Sequence, residues 1–152
     1  IIMTSNAGSD AISAICAQEE EKPDPDLLLE SMRHELLKSF KPAFLGRTNV
    51  ITYYPLDDEN LLKICKINMN RIAKRVQEHY NGEFSYHEDV LLHIVARSQE
   101  VDTGARNIES ILNRTLLPEL ASECLNRMAE GETIEKIHVK VSDQDTFIYE
   151  IS

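Results

Sequence analysis

The chain has 152 residues, 42% of them apolar and 28% charged, and a formal net charge of −10. The apolar fraction is enough for one ordinary domain or two small lobes, and an acidic surface without a basic patch repels phosphate, so neither nucleic acid nor an anionic membrane is expected as a partner. Cys16, Cys65 and Cys124 are odd in number and in no CxxC pair, which argues against a disulfide framework and a zinc site and for a reducing, cytoplasmic setting; no apolar run reaches the roughly 18 residues of a membrane span.

Residues 1–4, Ile-Ile-Met-Thr, form a β-rich apolar run. They are expected as a buried strand whose sheet partners lie outside this sequence. A polar turn over residues 5–9 and a short helix from Asp10 to about Ala17 follow. The charged residues 19–26, with Pro23 and Pro25, read as a solvated loop. From Asp26 as N-cap, Leu28, Met32, Leu36 and Phe40 recur every fourth residue, the stripe of a helix that Pro42 stops. Residues 49–54 read as a second strand, and Pro55 marks a lobe boundary.

Beyond Pro55, Asp57 and Asp58 open a long helix carrying Leu61, Ile64, Cys65, Met69, Ile72, Val76 and Tyr80, which Asn81-Gly82 ends. A short strand near Phe84 precedes a helix with Val90, Leu91, Ile94 and Val95. A third helix runs from about Ala105 to Met128 through Ile108, Ile111, Leu112, Leu116, Leu120 and Leu125, kinked at Pro118, which lacks a backbone donor. Alternating Ile137, Val139, Val141 and Phe147, Tyr149, Ile151 around Asp143-Gln144-Asp145 predict a hairpin.

Three polar residues stand at the edges of these elements, the two arginines each behind a breaker. Asn6 sits in a Thr-Ser-Asn turn, where asparagine is favoured on conformational grounds alone. Arg47 follows Pro42 and Gly46, and reads locally either as an anion contact or as an arginine lying across the surface. Arg106 stands behind Gly104 at a helix start, where the macrodipole disfavours a cation, so an anion or an ion pair with Asp102 or Glu109 must compensate. The five histidines form no metal pattern, and most of them are expected at the surface or at caps. No serine has a nucleophile-elbow context. No GxxxxGK[ST] loop and no strand ending in paired acids is present.

The stretch Phe40-Lys41-Pro42-Ala43-Phe44-Leu45-Gly46-Arg47 and the triplet Gly104-Ala105-Arg106, in this order behind Asn6, resemble the second ATPase module of the Clp/Hsp100 unfoldases of the AAA+ class. The resemblance spans essentially the whole chain. It implies a mixed α/β fold: residues 1–54 as the C-terminal end of the AAA+ large subdomain, and residues 55–152 as the helical small, or lid, subdomain with its hairpin. It makes Asn6 the first sensor, which positions the attacking water, and Arg47 the arginine finger that reaches the γ-phosphate held by a neighbouring subunit. Arg106 becomes the second sensor, presented to nucleotide phosphate by Gly104 and Ala105, so that phosphate loss turns the lid. ATP and Mg2+ are implied for the full-length protein, a homo-hexamer that threads protein substrates through a pore. This chain, without a phosphate loop, is expected to be inactive alone.

Gly46 and the run Gly104-Ala105-Arg106-Asn107-Ile108-Glu109, with residues 113–121, resemble the branch of the family that serves type VI secretion. That branch dismantles the contracted sheath built from TssB and TssC. The alternatives are a general disaggregase of the same family and a non-enzymatic oligomerisation module, in which both arginines make structural ion pairs.

Overall fold

The computed structural model of the chain describes residues 1–18, 21–99 and 105–152, which fall into two units, Ile1–Pro55 and Leu56–Ser152. The first unit is helical: α1 (Ser9–Gln18), α2 (Pro25–Ser39) and the single turn α3 (Pro42–Leu45). Asp24, rather than Asp26, caps α2. Its Oδ1 accepts from the backbone N–H of Asp26 at 2.9 Å and of Leu27 at 3.4 Å, and Pro25 takes the first helical position, where no donor is required. Leu28 and Met32 are the buried residues of this stripe, each 1% exposed. Gly8 packs against Met32 with φ +79°; a Cβ there would overlap Met32 Cε, which as the end of a flexible side chain can move, so it is the backbone conformation that demands glycine.

Residues 1–4 and 49–54 form no strand. Both are apolar and β-branched, but a strand exists only where a neighbour supplies a ladder of donors and acceptors, and no described segment pairs with either. Ile1, Ile2, Ile51 and Tyr53 are exposed as a result. Tyr54 is tied down instead: its hydroxyl donates to the Pro23 carbonyl.

The second unit is built on α4 (Asp58–Tyr80), which buries Leu61, Cys65, Met69, Ile72 and Val76 along one face. Asp57 caps it by accepting from the Asn60 N–H at 2.9 Å, and Asn81 ends it in the left-handed region at φ 55°. Strand β1 (Glu83–Tyr86) follows at once. Gly82 permits this, because a Cβ there would lie 3.0 Å from the Ile134 carbonyl oxygen and 3.3 Å from that of Glu135. β1 pairs in parallel with β2 (Lys136–Val141), Phe84 opposite Ile137, and β2 pairs antiparallel with β3 (Phe147–Ile151), giving the order β1-β2-β3. The hairpin thus belongs to a three-stranded sheet whose third member comes from a distant part of the chain. Asp145 takes the left-handed position of its turn at φ 58°.

Helix α5 (Glu88–Gln99) presents Val90, Leu91, Ile94 and Val95 to the core. The helix expected from Ala105 to Met128 is α6 (Ala105–Ile111), a π-helical turn at Leu112–Leu116, and α7 (Leu117–Ala129). In the π turn the Leu117 N–H reaches back to the Leu112 carbonyl. An α-helix would press the Pro118 ring against the carbonyl four residues before it, and the wider turn relieves that clash without a break. It also changes the helical phase. Ile108, Leu112, Leu116, Leu120 and Cys124 are all buried at strict four-residue spacing, while Leu125, expected in the core, is 63% exposed. A regular helix would carry such a series gradually off one face; the extra residue in the π turn takes up the drift.

Candidate functional site

Arg47 stands at the end of a tightly bonded turn. The Gly46 N–H donates to the Pro42 carbonyl at 2.9 Å, the Arg47 N–H to the Phe44 carbonyl at 3.1 Å and the Thr48 hydroxyl to the same carbonyl at 2.7 Å. Phe40 and Phe44 stack at 5.5 Å between ring centroids, joining the end of α2 to α3. The Arg47 side chain is exposed, and its Nε donates to the Ala43 carbonyl at 3.0 Å. That bond fixes the plane of the guanidinium and leaves both terminal NH2 groups, the prongs that grip an oxyanion in bidentate fashion, facing solvent. Among the described residues Arg47 has no ion pair.

Asn6 is exposed, and its carbonyl accepts from the Ser9 N–H at 3.1 Å at the start of α1. It borders a cavity of about 470 Å³, mostly apolar, that also touches Phe44, Leu45 and Thr48 of the Arg47 turn. The first unit therefore brings the Asn6 turn and the Arg47 turn to one cleft, with Arg47 itself outside its lining.

Arg106, in the second unit, is the second residue of α6 and is exposed. Among the described residues no ion pair is made by Arg106, so the pairing with Glu109 that local sequence allows does not form. Gly104 and Asp102 lie outside the described residues; Ala105 is half-buried at the start of α6. Sequence reasoning gave no structural part to Asn107. Its Nδ2 donates to the Ser98 carbonyl at 3.1 Å and lies 3.4 Å from that of Arg97, both at the end of α5.

The remaining titratable groups form no further centre. Among the described residues no set of His, Cys, Asp and Glu could hold a metal ion, and no helix is long and apolar enough to cross a membrane. Burial pushes the Cys65 thiol from its ordinary 9.0 to about 12 and raises that of Cys124, so neither is a nucleophile. The Tyr149 hydroxyl, 2.9 Å from Glu119 Oε2 and 3.2 Å from the Leu116 carbonyl, is also held protonated by burial and then by that carboxylate. His93 is the buried exception among the histidines: its side chain is 11% exposed, and its Nε2 is without a partner among the described residues.

Comparison with known proteins identifies the family. Residues 56–139 match the family described as the C-terminal, D2-small domain of ClpB protein. The chain is 41% identical over 143 residues to the AAA+ ATPase ClpV1 of Pseudomonas aeruginosa, covering 94% of this chain and 16% of that protein. It is 32% identical over 148 residues to the chaperone protein ClpB of Yersinia enterocolitica, covering 97% and 16%. It thus spans about one sixth of the length of these relatives. Among solved structures, the yeast Hsp104:casein complex in its extended conformation superposes with a TM-score of 0.67 over 98% of this chain and 25% of that one; at 21% identity this shows a shared fold. The chain belongs to the ClpB D2-small family, within the Clp/Hsp100 group of AAA+ proteins.

Proposed function

We propose that the full-length protein is a cytoplasmic, homo-hexameric AAA+ ATPase of the ClpV kind, which uses ATP hydrolysis to dismantle the contracted type VI secretion sheath of TssB and TssC. The observation that carries this reading is the higher identity to ClpV1, 41% over 94% of the chain, than to ClpB, 32% over 97%. In this reading Asn6 orients the attacking water and Arg47 acts as a finger in trans on the γ-phosphate of the neighbouring subunit. Arg106, carried by Gly104 and Ala105, contacts nucleotide from the lid. The free NH2 groups of Arg47 support the role, because a fork held by its Nε loses little freedom on gripping a phosphate. The described residues offer no ligand set for Mg2+, which in this reading arrives with ATP. This chain by itself is expected not to hydrolyse ATP, since it holds no phosphate loop.

The test is turnover in mixed hexamers of the full-length protein. A finger neutralises charge that develops in the transition state, and where GTPases receive one in trans it is worth roughly 10³ to 10⁵ in rate. Arg47→Ala is therefore expected to abolish most ATPase activity while nucleotide binding stays nearly intact, and to poison wild-type neighbours in proportion to its share of the ring. Poisoning absent from mixed rings refutes the trans role. Sedimentation of contracted TssB/TssC sheaths with ATP separates the substrates: sheath that stays pelletable while aggregated protein is rescued assigns the general disaggregase activity instead.

A further inference from the structure

We infer that Asn107 is the positioning residue for Arg106, holding the start of α6 against the end of α5 so that the arginine reaches out from a fixed point of the backbone. The inference rests on the reading of Arg106 as a nucleotide contact and adds to it the part that aims it. The last carbonyls of a helix have no partner within it. At the end of α5 those of Arg97 and Ser98 face the Asn107 amide, at 3.4 and 3.1 Å. The Ser98 side chain is fully buried, its hydroxyl donating to the Val95 carbonyl at 2.7 Å, so the residue whose carbonyl Asn107 holds is itself fixed in the core.

Arg106 has no side-chain partner of its own among the described residues. The backbone sets the direction in which its Cα–Cβ bond leaves the helix, and the two residues that follow help to hold that backbone. Ile108, fully buried, anchors α6 in the core, and Asn107 fixes the first turn to α5. Asn107 supplies the side-chain hydrogen bond between the start of α6 and the end of α5, and without it the first turn of α6 keeps only its apolar packing, with Ile108 at its centre. A terminal turn with few buried contacts frays readily, and the cost falls on the residue it carries.

The experiment is a double-mutant cycle in the full-length protein with its other ATPase module silenced, reading the dissociation constant of a fluorescent ATP analogue and kcat and KM for ATP. Arg106→Ala is expected to weaken analogue binding about tenfold or more, the scale of a lost charged hydrogen bond, and Asn107→Ala by about threefold to tenfold. In the Arg106→Ala background, Asn107→Ala is expected to change nothing further, since it acts only through that side chain. Asn107→Asp, which keeps the shape but loses the donor, is expected to repeat the pattern and serves if the alanine variant does not assemble. Losses that add in the double variant, or an Asn107 variant that binds as wild type while Arg106→Ala does not, overturn the inference. An Arg106→Ala protein with unchanged binding and turnover overturns the nucleotide reading itself, and the inference with it.

Discussion

Alkaline unfolding offers a direct test of the core around α4. Cys65 is fully buried on the inner face of that helix, and the loss of solvation pushes its thiol from 9.0 to about 12. Below pH 9 the thiol is protonated in both states, and its contribution to stability is fully present. Between pH 9 and 12 the unfolded chain releases a proton that the folded chain retains, so stability falls with rising pH by about 1.4 kcal/mol per pH unit. From pH 9 to 10.5 the loss from this group is about 2 kcal/mol. Cys65→Ala removes it. Cys124, Tyr86 and Tyr149 are also pushed up by burial, but they remain in both proteins and largely cancel in the difference. Urea unfolding under reducing conditions, at half-unit steps from pH 8 to 10.5, is expected to show the wild type ahead at pH 8 and its lead shrinking by about 2 kcal/mol at the alkaline end. Parallel profiles would mean that the Cys65 thiol ionises as readily in the fold as in the open chain, and that the core is wet there.

Two more perturbations probe local geometry. Gly8→Ala forces a side chain into the left-handed region and makes the Met32 methyl move aside, and is expected to cost the first unit about 1 to 2 kcal/mol; an unchanged urea midpoint for that unit sinks the account of this turn. His93→Leu removes the buried, unpartnered Nε2 at the cost of an edge-to-face contact with Phe147 at 5.4 Å and a 3.6 Å approach to Asp145. A gain of about 1 kcal/mol is expected, and a lowered melting temperature shows that the histidine finds a partner in solution.

Local periodicity made the helices readable, because a face that must be buried writes itself into the chain at intervals of three and four, as in α4 and α5. The hairpin was legible for the same reason at period two. Strand propensity misled at residues 1–4 and 49–54, since pairing is a property of a neighbour and not of the segment. The parallel partner of β2 was hidden by the 52 positions between Ser85 and Ile137. In α7 the error was one residue: the π turn puts Cys124 where regular counting puts Leu125. At the candidate site, Asn6, Arg47 and Arg106 stood out through motif resemblance, whereas Asn107 acts through carbonyl groups, which every residue carries and no motif marks.

The unpaired apolar segments of the first unit also govern how this chain behaves at high concentration. Ile1, Ile2, Ile51 and Tyr53 are between 71% and 120% exposed in segments that belong to no helix or strand, and apolar β-formers left outside a sheet can add to strands of separate molecules. What holds the molecules apart near neutral pH is their shared net charge of −10. Solubility is therefore expected to fall with added salt and to reach its minimum near the isoelectric pH of about 4.9, with the second unit still folded inside the precipitate.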